Sequence, residues 1–490
     1  MFADIKRTIK QTTVYSLGNI STKLVGFILL PLYTAHLLPK EYGILAILQA
    51  IMQILIGVFG LNLPTAMMRW YAQEKDPEKE KSIVFTTLLS TLIVSIFISS
   101  LLIPYSEQFA INIFDNVNFT VYFVFLFLAV SAGIVNNVPL SLIRLKEKSV
   151  FYIILTTIKF TLIILSNIYF VAYQKIGVEG IIISELIGHL FVIIFTIPMM
   201  IKNSIFKIDF TILLDMIKYG APLVFSTIFT FVLTLGDRFI IKYFFGDSSV
   251  GIYSLGHKIA SVINMLIIQS FQLGFLPIAY KKLGSQDEKQ FLSKVLTYYT
   301  LVLVFSALSI SLFGRELIEL LSNNKDYWIA YSVIPIISFA FVLKGIQYTF
   351  ALSFHYSKKT SYNAGIVIIS AIINVTLNIL LVLQYGYIGA AYSMLISIFV
   401  MMVLSYYFGQ KVYYIPYEKN RIIKIVFIGL ILFGISLFIN EFNFILRFSF
   451  KTILLVSFVG ILFLFKIFSK NEILSLKQGI LDFKNLVFKK

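Results

Sequence analysis

Mostly apolar stretches of roughly 17–25 residues, the length a helix needs to cross a bilayer, recur along the whole chain. They fall near 14–36, 42–62, 82–104, 118–138, 150–172, 177–201, 218–243, 250–279, 292–313, 328–351, 361–384, 386–409, 422–440 and 449–468. These runs mix β-branched and aromatic residues without the period-two alternation of barrel strands, so they read as helices. The reading is an all-α integral membrane protein of about fourteen transmembrane helices. Composition agrees: 58% of the 490 residues are hydrophobic and 13% are charged, about half the charged fraction of a soluble domain. An apolar surplus of that size has to face lipid.

The distribution of positive charge tests the map independently. If the N-terminus (Lys6, Arg7, Lys10) is cytoplasmic, every second loop should be basic. The loops so assigned carry Arg69, Lys75, Lys79 and Lys81; Arg144, Lys146 and Lys148; Lys202 and Lys207; Lys281, Lys282 and Lys289; Lys358 and Lys359; Lys411, Lys419 and Arg421; and a Lys-rich C-terminus. Opposite loops hold scattered cations such as Lys40, Lys175 and Lys242. The balance is roughly 28 basic residues inside against about 7 outside, as the positive-inside rule expects. Both termini are therefore expected in the cytoplasm. Polar residues 1–13 and the lack of a small-residue cleavage site make the first apolar run an anchor and not a removable leader.

A net charge of +17 does not imply nucleic acid here. The cations lie in short clusters between apolar runs, which suits the anionic cytoplasmic leaflet. Cysteine is absent, which excludes disulfides, thiolate metal sites and cysteine nucleophiles. The four histidines, His36, His189, His257 and His355, stand far apart with none at zinc-ligand spacing. No metal and no cofactor are expected beyond a coupling Na+ or H+ gradient.

The halves echo each other. Leu38-Pro39-Lys40-Glu41-Tyr42-Gly43-Ile44 opens the second span, and Phe245-Gly246-Asp247-Ser248-Ser249-Val250-Gly251-Ile252-Tyr253 occupies the same place in the second half. Aligning Gly43 with Gly251 brings Met68-Arg69-Trp70-Tyr71 close to Leu276-Pro277-Ile278-Ala279-Tyr280. Both halves begin on the same side, so the repeat is parallel, with its pseudo-two-fold axis along the membrane normal. The expected organisation is an N-lobe of six spans (1–201), an amphipathic cytoplasmic linker (202–217) and a C-lobe of six spans (218–409). Two further spans (410–468) and an amphipathic tail (469–490) complete the chain. Pro31 and Pro222, near the helices that start each lobe, are candidate bending points.

At these residues the sequence resembles the polysaccharide transporter group of the MOP flippase superfamily, which includes the Wzx-type O-antigen flippases. The resemblance rests on Pro31-Leu32-Tyr33, Tyr42-Gly43, Gly236-Asp237-Arg238-Phe239-Ile240-Ile241 and Gly251-Ile252-Tyr253-Ser254-Leu255-Gly256-His257-Lys258, and covers residues 10 to about 410. It implies a MATE-like fold in the bacterial cytoplasmic membrane. It also implies transfer of an undecaprenyl-pyrophosphate-linked oligosaccharide from inner to outer leaflet, for O-antigen, capsule or exopolysaccharide, beside a glycan polymerase machinery.

Ionisable residues inside spans are costly in lipid and normally face a cavity or a partner. Cations dominate the set, which suits a pyrophosphate. Lys23, Arg238, Lys258 and Lys344 are the candidate cavity cations, with Arg69 at the inner end of the second span. Lys159 is expected to be structural. Glu185 and His189, one turn apart on one face, are read as a proton or cation relay or as a hydrogen-bonded pair. Asp237 and Arg238 point about 100° apart on one helix, so a mutual pair is not expected; Asp237 with Lys258 across adjacent spans is the structural alternative. Asn19, Asn264, Gln272 and Asn374 are candidate sugar contacts. The competing reading is a cation-coupled drug or metabolite extruder, for which the chain offers only Glu185 and Asp237 as an acidic midplane site. A glycan polymerase or ligase would carry a large catalytic outer loop, and the longest here, 105–117 and 314–327, are short; no filter motif suggests a channel.

Overall fold

The computed structural model describes residues 27–357, 359–439, 442–465 and 467. Residues without water must satisfy their backbone groups internally, and the described chain does so with helices. In order these are α1 (Leu30–His36), α2 (Pro39–Phe59), α3 (Leu63–Gln73), α4 (Pro77–Leu102), α5 (Ser106–Phe114), α6 (Thr120–Leu145), α7 (Ser149–Asn167) and α8 (Gly177–Lys202). They continue as α9 (Phe210–Ala260), α10 (Gln269–Lys282), α11 (Glu288–Leu321), α12 (Ile334–Tyr356), α13 (Thr360–Tyr385), α14 (Tyr387–Val412), α15 (Lys419–Leu437) and α16 (Phe444–Leu464). Local chemistry sets the starts. Prolines open α2 and α4, where a missing N–H costs nothing. Asp76, Asp209 and Asn443 cap free N–H groups of Glu78, Ile212 and Leu446 at 2.9–3.0 Å.

Twelve segments among the described residues are long and apolar enough to cross a membrane. One of them, Phe210–Lys282, is 73 residues long and turns back at Gly246, whose φ of 75° and ψ of 179° no other residue type adopts readily. Asp237 and Arg238 before the turn then meet Tyr253 and His257 after it, so the two arms of α9 form a hairpin. Most of the expected first span, with Lys23 and Asn19, lies outside the described residues, as does the C-terminal tail. The helix that ends at His36 is interrupted by a turn at Leu29, two residues before Pro31.

Helices α2, α4, α6, α7 and α8 pack as one group, and α9 with α11–α14 as a second. Their outer faces leave large apolar side chains such as Ile93, Phe97, Ile194, Ile372 and Val456 exposed, the surface of a multi-pass membrane protein. The groups meet along α2 and α9. At one end Gly43 and Gly251 cross: a Cβ on Gly43 would lie 1.8 Å from the Asp247 carbonyl oxygen, and one on Gly251 would lie 1.9 Å from that of Pro39. Each glycine faces the carbonyl four residues before the other, the reciprocity expected of a parallel repeat. Around this Gly43 end the Tyr327 hydroxyl donates to the Leu37 carbonyl at 2.9 Å, and Thr34 donates to that of Leu321 at 2.6 Å. At the far end of α2, the Arg69 end, the Arg69 guanidinium stacks 4.7 Å from the Tyr219 ring and 5.4 Å from that of Trp70.

Three local expectations are revised. Residues 314–321 belong to α11 and not to a loop, because Glu316 and Glu319 are neutralised from α16. Arg447 contacts Glu316 at 2.7 Å and Glu319 at 2.9 Å, and Lys451 contacts Glu316 at 2.8 Å. The linker region is irregular from Ser204 to Asp209, after which Asp209 caps a helix that continues without a break through residues 210–217 into the next apolar segment. Finally, the span expected at 250–279 is not one continuous α-helix: it passes through a π-helical turn at Ile263–Ile268.

Candidate functional site

Two polar clusters interrupt the apolar interior, one in each group of helices. In the first, Gln49 of α2 donates to the Glu185 carboxylate of α8 at 3.0 Å. One turn further on, His189 Nδ1 lies 3.0 Å from Asn136 Nδ2 of α6 and 3.2 Å from Lys159 Nζ of α7. An ammonium only donates, so Nδ1 accepts. Glu185 and His189 thus sit on one face as their spacing indicates, but their partners come from three other helices and they do not simply bond to each other. Lys159 is buried inside this network.

In the second cluster Asp237 and Arg238 do pair, with Arg238 Nη1 3.1 Å from Asp237 Oδ1. The sequence argument from the 100° step fails because a guanidinium is long enough to curl back along its own helix, where Nη1 also donates to the Thr234 carbonyl at 3.0 Å. The other Asp237 oxygen accepts from the Tyr253 hydroxyl across the hairpin, so the acid's partners are Arg238 and Tyr253 and not Lys258. His257 Nδ1 lies 3.5 Å from Arg238 Nη2, and its ring stands 5.9 Å from that of Phe341. The Lys344 ammonium lies 5.9 Å from the same Phe341 ring.

Lys344 lines a cavity of about 320 Å3 between α9, α10, α12, α13 and α14, with Thr234, Gln272, Tyr348, His355 and Asn363 among its other walls. No acid lines it. Its dimensions are those of a small ligand site, and the Asn363 side-chain oxygen is buried without a protein partner. His355 closes α12 and Asn363 opens α13, so the cavity runs from the bilayer middle toward the Arg69 end.

The candidate residues therefore separate. Lys344 and Gln272 share the cavity, and Arg238 stands behind it in an ion pair. Lys258 points away, its ammonium 5.6 Å from the Tyr33 ring of α1, within electrostatic reach of Glu185. Like Arg69, which reaches Tyr219 of α9 from α3, it makes a contact outside its own group of helices. Arg69 is stacked on aromatics at the Arg69 end. Asn264 sits in the π-helical turn, and Asn374 is buried against Ser393 of α14 and is not among the cavity walls. Lys23 and Asn19 lie outside the described residues. Sequence reasoning missed Gln49, Asn136, Tyr348, His355 and Asn363 as neighbours of these clusters. A polar side chain on a span face shared with a charge was the available signal.

Two helical groups that cross at paired glycines, each with a buried polar cluster of its own, define a two-lobed polytopic membrane protein. The chain belongs to the polysaccharide biosynthesis protein family, whose profile matches residues 8–282; the MatE profile matches residues 222–380. It is similar to Lsg locus putative protein 1 of Haemophilus influenzae, 26% identical over 56% of this chain and 67% of that one. It is also similar to the probable low-salt glycan biosynthesis flippase Agl15 of Haloferax volcanii, 23% identical over 59% and 60%. The capsular polysaccharide biosynthesis protein CapF of Staphylococcus aureus is 26% identical over 39% and 49%. The chain thus spans between about half and two thirds of the length of these relatives. Among solved structures, the lipid II flippase MurJ in an inward closed conformation superposes with a TM-score of 0.75, covering 93% of this chain and all of that one at 15% identity. An inward-facing multidrug MATE transporter gives 0.66 over 81% and 97% at 14% identity. These likenesses show the fold.

Proposed function

We propose that this protein is a flippase that carries a polyprenyl-pyrophosphate-linked oligosaccharide from the inner to the outer leaflet of the bacterial cytoplasmic membrane by alternating access. The observation that carries the reading is the acid-free cavity holding Lys344. A cation without a carboxylate partner among the lining residues recruits an anion, and the surrounding amides, hydroxyls and imidazole are the donors and acceptors a sugar needs. A cationic drug would be repelled. Lys258 supplies a second cation between the helical groups, and Lys23 is a third candidate. Family membership and relatives named for glycan biosynthesis support the same class of cargo. The basic loops support a reading in which the Arg69 end faces the cytoplasm and the Gly43 crossing lies on the outer side.

We propose in addition that the cluster of Glu185, His189 and Lys159 couples transport to a cation or proton gradient. Glu185 is bonded to Gln49 of α2 and lies one turn from His189, which meets Lys159, so a change in its charge is made at a junction of three helices. This is the observation that favours coupling, and a drug or metabolite extruder of the same superfamily would use it too.

The deciding experiment is deletion of the gene followed by leaflet-resolved analysis of undecaprenyl-linked oligosaccharide. Accumulation in the inner leaflet with loss of surface glycan is expected. Normal surface glycan in a strain lacking any redundant flippase would remove the proposal, and altered drug tolerance alone would favour the extruder.

A further inference from the structure

A second cavity, of about 330 Å3, opens on the outer side of α4, α6 and α8, away from both polar clusters. Leu92, Pro139, Ile197, Met200, Ser204 and Phe206 are among its walls. Its two hydroxyls have no proton left to donate to a ligand, since Thr196 donates to the Val192 carbonyl at 2.7 Å and Ser204 to that of Met200 at 2.7 Å. The trough is therefore a place for hydrocarbon. Phe206, which closes it, meets Phe85 edge-on at 5.2 Å and is otherwise 95% exposed.

Cations gather at the mouth of this trough. Ile201 and Ser204 line it, and between them come Lys202 and Asn203. The Asn203 side-chain oxygen accepts from the Lys146 ammonium. Lys146 in turn feels the like charges of Lys148, Lys202 and Lys81, opposed only by Glu80. Burial and those neighbours hold its ammonium below the usual lysine range. Two of these lysines close α6 and α8, where helix dipoles favour cations. The dipoles account for neither the convergence of four lysines nor the apolar trough below them.

We propose that this groove is a specific site for an anionic glycerophospholipid, its phosphate held by Lys81, Lys146, Lys148 and Lys202 and one acyl chain laid along Leu92, Ile197 and Met200. Charge complementarity selects the headgroup, and the trough selects a chain-bearing ligand over free phosphate. The lipid has a structural consequence as well. Ser204 and Phe206 belong to the segment joining the two helical groups, which is also tied to α4 where Ser82 donates to the Lys207 carbonyl at 2.9 Å and Thr86 accepts from the Asp209 N–H at 3.0 Å. A bound lipid braces that joint against α4.

The test is native mass spectrometry of the purified full chain with phosphatidylglycerol, phosphatidylethanolamine or undecaprenyl phosphate added. Phosphatidylglycerol is expected to be retained over phosphatidylethanolamine, and Lys146→Gln with Lys202→Gln to weaken retention by on the order of tenfold or more. Leu92→Trp, which fills the trough and leaves every lysine in place, should abolish it. Lys411→Gln with Lys419→Gln, equally basic but far along the chain, should leave it unchanged. Equal retention of the two phospholipids, or unchanged retention in both groove variants, overturns the site. Preferential retention of undecaprenyl phosphate overturns the choice of lipid and makes the groove a seat for a polyprenyl tail.

Discussion

Gly43 and Gly251 hold the two helical groups backbone to backbone, each leaving room for the carbonyl four residues before the other. Because a Cβ would come within 2 Å of a carbonyl oxygen at either position, even alanine forces the crossing apart. Gly43→Ala and Gly251→Ala are expected to cost about 1–3 kcal/mol as overpacking and to impair surface-glycan complementation severalfold. Gly434→Ala and Gly460→Ala, with nothing within 4 Å, serve as neutral comparisons. Equal behaviour of all four would show that the crossing need not close.

Lys344 is the cation of the C-terminal cavity. Lys344→Gln should preserve protein level, because no carboxylate is left unpaired there, while reducing transport of the lipid-linked glycan at least about tenfold if one charge-assisted contact of roughly 1.5–3 kcal/mol is lost. Lys344→Arg should recover part of it. The readout is surface glycan at matched membrane expression.

Arg238 calls for a different expectation. It neutralises a buried acid, so Arg238→Ala leaves Asp237 with the Tyr253 hydroxyl and one backbone N–H but no counter-charge, and breaking such a pair costs about 3–5 kcal/mol. Protein yield and thermal stability in detergent should fall. The double variant Asp237→Asn with Arg238→Gln should be better folded than Arg238→Ala, which a denaturation series on both would reveal.

Lys159 and Glu185 test the coupling proposal. Glu185→Gln keeps the hydrogen-bonding shape toward Gln49 but removes the charge, so transport should lose its dependence on an imposed proton or sodium gradient while the protein stays folded. Lys159→Ala should mainly lower stability by leaving His189 short of a partner. Gradient-dependent transport in Glu185→Gln proteoliposomes would assign coupling elsewhere.

Much of the architecture was legible in the sequence, because hydrocarbon leaves a chain few choices. Length and polarity marked the spans, loop charge fixed an orientation to test, and the Gly43–Gly251 alignment named the two residues that touch. The partners of buried charges were not legible. Arg238 reaches its neighbour through a flexible side chain, so helix geometry alone misjudged Asp237. Glu316 and Glu319 stand three residues apart, and Arg447 and Lys451 four, yet only packing shows that these two pairs face each other. Likewise Asn374 and Gln272 are equally polar in sequence, and only the tilt of neighbouring helices puts one into a helix seam and the other into a cavity.

The ladder joining α16 to α11 bears on how the chain is made. Arg447 and Lys451 each carry an insertion penalty of about 2.5–3.5 kcal/mol near the centre of a membrane helix, less toward its ends, and they lie within a segment of only 21 residues. Their counter-charges, Glu316 and Glu319, are synthesised more than a hundred residues earlier. Helix α16 therefore enters the bilayer most readily once α11 is already seated to receive it, which makes its insertion a checkpoint on the assembly of the helices before it.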